Sequence, residues 1–240
     1  MPLTRLLLIL WSTISASLAF LPQPHAALKR QHPSVTADLF TINTCSNTQL
    51  FGVDQARKYV SEGMSAFRQG RVSESIQLFD SAEQAEPRFT PFLWQRGLSY
   101  YYNEQYDLAR QQFRTDVSVN PLDVEEIVWD IAAALRQDPA FPVPNALTLP
   151  GRDRRPIMAV VYQLFRGQAT EADLAAAGHK TGKASDEFYS LFYLGLFAEA
   201  RQEPAKAEQY LRQSIHTTYA TGVGQADYMT SVARVRTKTT

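Results

Sequence analysis

The sequence predicts an all-α fold made of stacked helical hairpins. Two observations carry this prediction: several residue types recur at an interval of 34 positions, and apolar residues elsewhere follow helical spacing. The only β-like triplet, at 160–162, is too short to form a strand. The expected architecture is two regular units, a degenerate third unit, an inserted proline-rich loop, another unit and a C-terminal capping helix.

The repeat consists of glycine, small, aromatic and proline positions in one register. Gly63 and Gly97 are 34 residues apart, and three further pairs share this interval: Ser75 and Ala109, Phe79 and Phe113, and Pro87 and Pro121. Glycine inside a helix costs about 1 kcal/mol relative to alanine, so each glycine indicates a close crossing with a second helix. The small residue is expected to face the glycine, with the aromatic ring beside it. Proline then ends the second helix.

A third copy of the pattern lies near the C-terminus. Gly195, Ala207 and Leu211 reproduce the spacing of Gly97, Ala109 and Phe113, although Tyr219 stands where the proline is expected. Together the copies resemble the tetratricopeptide-repeat (TPR) family, whose unit is a pair of helices repeated every 34 residues. The resemblance implies a solenoid of helical hairpins over residues 54–236.

In the TPR family, the first helix of each unit lines a concave face that binds partner segments. The resemblance therefore implies that the partner of this chain is a protein or peptide. Helical spacing assigns the following side chains to that face: Arg57, Val60, Met64, Phe67, Trp94, Leu98, Tyr101 and Tyr102. An aromatic and apolar surface of this kind suits an amphipathic helix or an extended apolar segment. The alternative is that later helices of the same chain cover it.

The register breaks between the second and last copies. Residues 138–156 carry Pro139, Pro142, Pro144 and Pro150, which favours an inserted loop because prolines interrupt helices. Helices are predicted on either side of this loop, at 124–135, at 157–165 and at 171–177, the last with Thr170 as its cap. Ser185 is expected to cap the helix that carries Gly195. A final helix at 225–236 is expected to cap the solenoid.

The layout over residues 55–236 is similar to that of the NlpI-type TPR adaptors, most clearly at 96–101 and 192–195. That resemblance implies an adaptor role toward peptidases and a C-terminal-processing protease. The lipid-anchor cysteine of that group is missing, so membrane attachment is not expected. The alternative is a structural or assembly factor that acts as a homo-oligomer.

The first 45 residues are typical of targeting sequence. Arg5 precedes an apolar run that ends near Ala19, which predicts a secretory signal peptide at residues 1–19. Residues 20–45 are basic and hydroxylated, and with Phe20 after the expected cleavage point they resemble a bipartite plastid presequence. We therefore expect this segment to be disordered or removed. The stroma is then favoured over the lumen as the destination, and simple secretion is the alternative.

The chemistry expected of an enzyme is missing from the sequence. Cys45 is the only cysteine, and His179 and His216 are the only histidines after the leader. These residues predict neither a disulfide nor a metal or cofactor site. The mildly acidic body argues against nucleic acid as a partner. The three arginines Arg152, Arg154 and Arg155 could bind an anion, although a solvated loop is the commoner arrangement. We therefore expect a non-enzymatic scaffold whose mature form does not span a membrane.

Overall fold

Apolar residues at helical spacing, interrupted at short intervals, produce a chain of short helices. A computed structural model describes residues 39–143, 153 and 155–238, and every extended regular element in these ranges is helical. The predicted all-α class is therefore confirmed for this part of the chain. The α-helices are α1 (Leu39–Arg68), α2 (Val72–Ala85), α3 (Trp94–Tyr102), α4 (Tyr106–Val117), α5 (Glu125–Gln137), α6 (Pro156–Phe165), α7 (Glu171–Lys180), α8 (Ala184–Ala200), α9 (Pro204–Ile215), α10 (Thr218–Thr221) and α11 (Tyr228–Lys238), with a 3-10 helix at Pro87–Phe92.

The chain divides into two compact units, Met1–Val53 and Asp54–Thr240. The predicted signal peptide lies outside the described residues, as does the transit-like segment up to residue 38. Residues 39–45 form the first turns of α1. The architecture below concerns the second unit.

Helices pack mainly against their neighbours in the chain. α3 packs closely against α4 and α8 against α9, and α7 also packs against α8. α5 packs against α4 and then against α6 and α8, so it joins the two halves of the unit. The final helix α11 packs against α9, as expected of a capping helix.

The repeated glycines lie where two helices cross closely. A Cβ atom on Gly97 would stand 2.6 Å from a ring carbon of Phe113, and one on Gly195 would stand 2.7 Å from Cγ of Leu211. Gly63 faces the ring of Phe79 in the same way, at 3.1 Å. The small partners Ser75, Ala109 and Ala207 are fully buried. The three copies of the sequence pattern therefore share one packing arrangement.

The turns inside these hairpins also repeat, which the sequence pattern did not predict. Gly70, Glu104 and Gln202 follow the three repeat glycines at the same interval, and their φ angles are 78°, 59° and 63°. In each turn the next residue donates a backbone hydrogen bond five residues back, with N–O distances of 2.9–3.0 Å. This arrangement is a Schellman-type helix end. Only Gly70 carries the residue type that favours a positive φ.

Helix starts and stops follow the sequence at most positions. Pro87 comes just after the end of α2, and Pro121 lies in the turn before α5. Thr170 caps α7 as predicted, in a reciprocal capping box with Asp173. The predicted cap at Ser185 is wrong: α8 begins at Ala184, after Lys183, and has no side-chain cap. Residues 144–152 and 154 of the predicted loop lie outside the described residues.

Candidate partner-binding face

The side chains predicted to line the concave face are mostly covered. Phe67 and Leu98 have no exposed surface, and Tyr101 is 2% exposed. The remaining members range from buried Val60, through half-buried Met64, Trp94 and Tyr102, to exposed Arg57. The structure thus brings the aromatic members together, but as part of the interior of the folded chain.

The C-terminal helix α11 covers this face. The ring of Tyr228 stacks on Phe67, with centroids 5.6 Å apart, and meets Trp94 edge-on at 5.4 Å. The guanidinium carbon of Arg68 lies 5.1 Å from the centroid of the Tyr228 ring. These contacts connect the last helix to the first and third helices. The face is therefore occupied by the chain itself, which was the alternative left open by the sequence.

Trp129 of α5 covers the next part of the same face. Its ring lies edge-on to Tyr101 at 5.1 Å and to Tyr102 at 6.1 Å. It also stacks on Phe113, one of the repeat aromatics, at 6.3 Å. Aromatic pairs of this geometry contribute about 0.5–1.5 kcal/mol beyond their burial. α5 thereby fixes the inner wall of the face on which α11 lies.

An ion pair joins α11 to α8 at the other end of the helix. Nε of Arg236 lies 2.9 Å from Oε2 of Glu199, and the Glu199 side chain is only 8% exposed. Burial raises the pKa of Glu199, and the charge of Arg236 acts in the opposite direction. Removing one partner of a buried pair costs about 3–5 kcal/mol because the other charge is left uncompensated. Arg136 acts in the same direction as Arg236 but more weakly, so Arg236 is the main counter-charge of Glu199.

Asp227 fastens the start of α11. Its Oδ2 accepts hydrogen bonds from the hydroxyls of Tyr189 and Tyr219, each at 2.8 Å. Its Oδ1 accepts one from the backbone N–H of Met229, also at 2.8 Å. Asp227 therefore caps α11 and ties it to α8 and α10 at the same time.

Two polar groups that α11 buries have no hydrogen-bond partner within the described residues. They are the hydroxyls of Tyr228 and Thr230, whose residues are 3% and 0% exposed. Leaving a buried polar group unpaired costs about 1–3 kcal/mol. The fit of α11 to the face is thus good in its aromatic and ionic contacts and poor at these two hydroxyls.

A cluster of charges beside the face contains Arg155 from the predicted anion-binding loop. Its guanidinium contacts Asp123 at 2.9 Å, Glu125 at 3.1 Å and Asp153 at 2.8 Å. Arg155 is therefore neither free to bind an anion nor a solvated loop residue, the two alternatives that the sequence left for this cluster, because three carboxylates surround it. Arg152 and Arg154 lie outside the described residues.

Glu125 is the buried member of this cluster. It accepts a hydrogen bond from the Tyr193 hydroxyl. Burial raises the pKa of Glu125 to about 7, and the charge of Arg155 opposes that rise. Its neighbour Glu126 is also buried, which raises its pKa well above the usual value. These groups make the α5 terminus sensitive to pH.

The two histidines, expected on separate segments, line one open cavity of about 470 Å³. His179 comes from α7 and His216 follows α9, with Glu187 and Arg212 also at the wall. Within the described ranges, no group of three histidine, cysteine, aspartate or glutamate residues is placed to hold a metal ion.

Sequence reasoning missed Glu199, Asp227, Tyr228 and Arg236, which hold α11 in place. Glu199 offered the clearest signal, since it is a lone acid in the last turns of the apolar helix α8. The other three lie in or next to the predicted capping helix, and their inward contacts follow only from the curvature of the stack.

Comparison with known proteins adds no assignment. Neither a protein-family model nor a curated protein sequence matches the chain. In the part of the chain that the structure describes, no helix combines the length and apolar character required to cross a bilayer.

Proposed function

We propose that this chain is a non-enzymatic, TPR-type scaffold that binds a helical segment of another protein. The partner would bind the face formed by Phe67, Trp94 and Leu98. The supporting observation is that this face accommodates a helix, because α11 already lies on it with aromatic and ionic contacts. Helix-in-groove binding uses the same kinds of contact between chains.

Two of the buried carboxyl groups with raised pKa values, Glu125 and Glu199, support a structural role over catalysis. Glu125 is bound by Arg155 and Tyr193, and Glu199 is bound by Arg236. Each therefore has its partners within the fold. A catalytic acid or base must instead present its proton to a substrate within hydrogen-bonding distance.

Affinity capture tests the scaffold proposal. The mature chain, its Trp94→Ala variant and its Leu122→Ala variant are used to retain proteins from plastid extract. Trp94 is half-buried against Tyr228, whereas Leu122 is 50% exposed and lies in the turn before α5. Wild type and Leu122→Ala should retain the same protein, and Trp94→Ala should lose it. Equal retention by wild type and both variants would reject this face as the binding site. If the retained protein is a processing protease, the NlpI-type adaptor role is supported.

A homo-oligomeric assembly factor is the second candidate. It is favoured by Val119 and Leu122, which are 46% and 50% exposed and lie three positions apart in the turn after α4. Large exposed apolar side chains that lie close together often mark an interface. Size-exclusion chromatography with light scattering distinguishes the candidates, since a monomer at micromolar concentration excludes this one.

We further propose delivery to the plastid stroma, with secretion as the alternative destination. The proposal is supported by the signal-like residues 1–19 and the transit-like residues 20–45. Residues 1–45 fused to a fluorescent protein should direct it to plastids, and residues 1–19 alone should direct it to the secretory pathway. Retention of the longer fusion in the secretory pathway would reject plastid delivery.

A further inference from the structure

α11 is an 11-residue helix that contacts the rest of its unit through aromatic and ionic side chains. It carries three basic residues, Arg234, Arg236 and Lys238, and no acidic residue. Arg236 pairs with the buried Glu199, and Tyr228 lies between Phe67 and Trp94. The aromatic contact and the ionic contact are separated by about two helical turns. Together they define which helix can occupy the site.

We propose that the site under α11 receives a partner helix with an aromatic residue and, about two turns later, an arginine or lysine, and that α11 is the built-in competitor for it. The inference rests on the proposed scaffold function and names the chemistry of its partner. We expect an incoming helix to supply the cation, because displacement of Arg236 would leave the buried Glu199 carboxylate with only the weaker charge interaction from Arg136.

Two features make displacement of α11 possible. The hydroxyls of Tyr228 and Thr230 are buried without partners, so a helix that replaces them with apolar or paired groups binds better. Asp227 is the point at which the displacement is controlled, because it holds the start of α11 through Tyr189, Tyr219 and Met229. Asn at this position keeps one acceptor for the helix cap but lacks the charged oxygen that binds both tyrosine hydroxyls.

Binding of a synthetic peptide tests the proposal. The probe is a fluorescein-labelled peptide of residues 225–238, titrated against the full chain and its Asp227→Asn variant by fluorescence anisotropy. The variant should bind the probe at least tenfold more tightly than wild type. A peptide with Arg236→Glu should bind the variant at least tenfold more weakly, whereas Lys238→Glu, at an exposed position, should change affinity less than threefold. Equal affinity of both chains, or of the Arg236→Glu and unaltered peptides, would overturn the proposal.

Hydrogen exchange on the unaltered chain gives a second test that does not depend on folding of a variant. The amides of α11 should exchange through local opening, with protection at least tenfold lower than in α8. Equal protection of the two helices would also overturn the proposal. Peptide binding without any protein captured from extract would reject the scaffold function but leave this site standing. If capture depends on Trp94 but the peptide does not compete with the captured protein, the scaffold function stands and the proposed site under α11 is rejected.

Discussion

At the residue scale, glycines set the distance between paired helices, because they have no side chain at the crossing. Each of Gly63, Gly97 and Gly195 faces a large side chain one helix away, and the space for a methyl group differs among them. Alanine normally stabilises a helix relative to glycine by about 1 kcal/mol. The space at each crossing therefore determines whether a glycine-to-alanine substitution stabilises or destabilises the fold.

Gly97→Ala should destabilise the fold. Its Cβ would lie 2.6 Å from the Phe113 ring, and overpacking of this kind costs about 1–3 kcal/mol. Because helix propensity offsets about 1 kcal/mol of this cost, we expect a net loss of up to about 2 kcal/mol in the free energy of unfolding, measured by urea denaturation. Gly63→Ala is the matched control, with a smaller loss because its contact with Phe79 is 3.1 Å. A Gly97→Ala protein more stable than wild type would contradict the close crossing.

The pH dependence of stability should include a contribution from Glu125. Its pKa is about 7 in the folded chain and near 4.5 when unfolded, so only the folded state keeps the proton between these values. The contribution of Glu125 to the free energy of unfolding is at its full value below about pH 4.5. It decreases as the pH rises from there to about 7 and does not change at higher pH.

The free energy of unfolding of wild type should therefore be lower at pH 7.5 than at pH 5, and Glu125 should account for roughly 1–3 kcal/mol of the difference. Chemical denaturation at both values should show a smaller difference for Glu125→Gln. Glu62→Gln, at an exposed position on α1, should behave as wild type. The same pH difference in all three proteins would show that the burial of Glu125 does not control its ionisation.

At the element scale, the hairpins share a turn that tolerates different residue types. Gly167, which follows α6, has a φ of 70°, and Gln168 donates to the carbonyl of Gln163 at 2.8 Å. The same turn therefore closes a fourth hairpin, α6–α7, although α7 starts four residues after Gly167 instead of two. Val160 stands where the repeat glycine is expected, and the longer connection moves the buried positions of α7 out of the repeat register, so the sequence pattern did not reveal this unit.

Glu104→Gly should stabilise the α3–α4 hairpin by about 0.5–1 kcal/mol, because a side chain is disfavoured at its φ of 59°. Thermal or urea unfolding measures the gain. Gln105→Gly is the control: its φ is −91°, so glycine there only adds freedom to the unfolded chain and should destabilise. Equal losses in the two variants would contradict the left-handed turn.

At the largest scale, that of the unit Asp54–Thr240, the last helix α11 contacts the C-terminal end of α1 through Tyr228 and Phe67. The sequence predicted the helical class, the three glycine crossings, the cap on α7 and a C-terminal capping helix. These features depend on residues close in sequence or on a fixed interval. The position of α11 depends on how the angles of all the intervening helix crossings add up, including those of the irregular α5 and α6. Spacing within one helix does not carry that information, so the exposure of Phe67 and Leu98 could not be judged in advance.

The contact between Trp94 and Tyr228 places α11 on the face most directly, and a double-mutant cycle measures its strength. The free energy of unfolding is determined for wild type, Trp94→Ala, Tyr228→Ala and the double variant, with Trp94→Ala and Phe197→Ala as a distant control pair. We predict a coupling energy of about 0.5–1.5 kcal/mol for Trp94 and Tyr228, and additivity for the control. Additive effects in both pairs would mean that α11 does not lie on the face and would contradict the account.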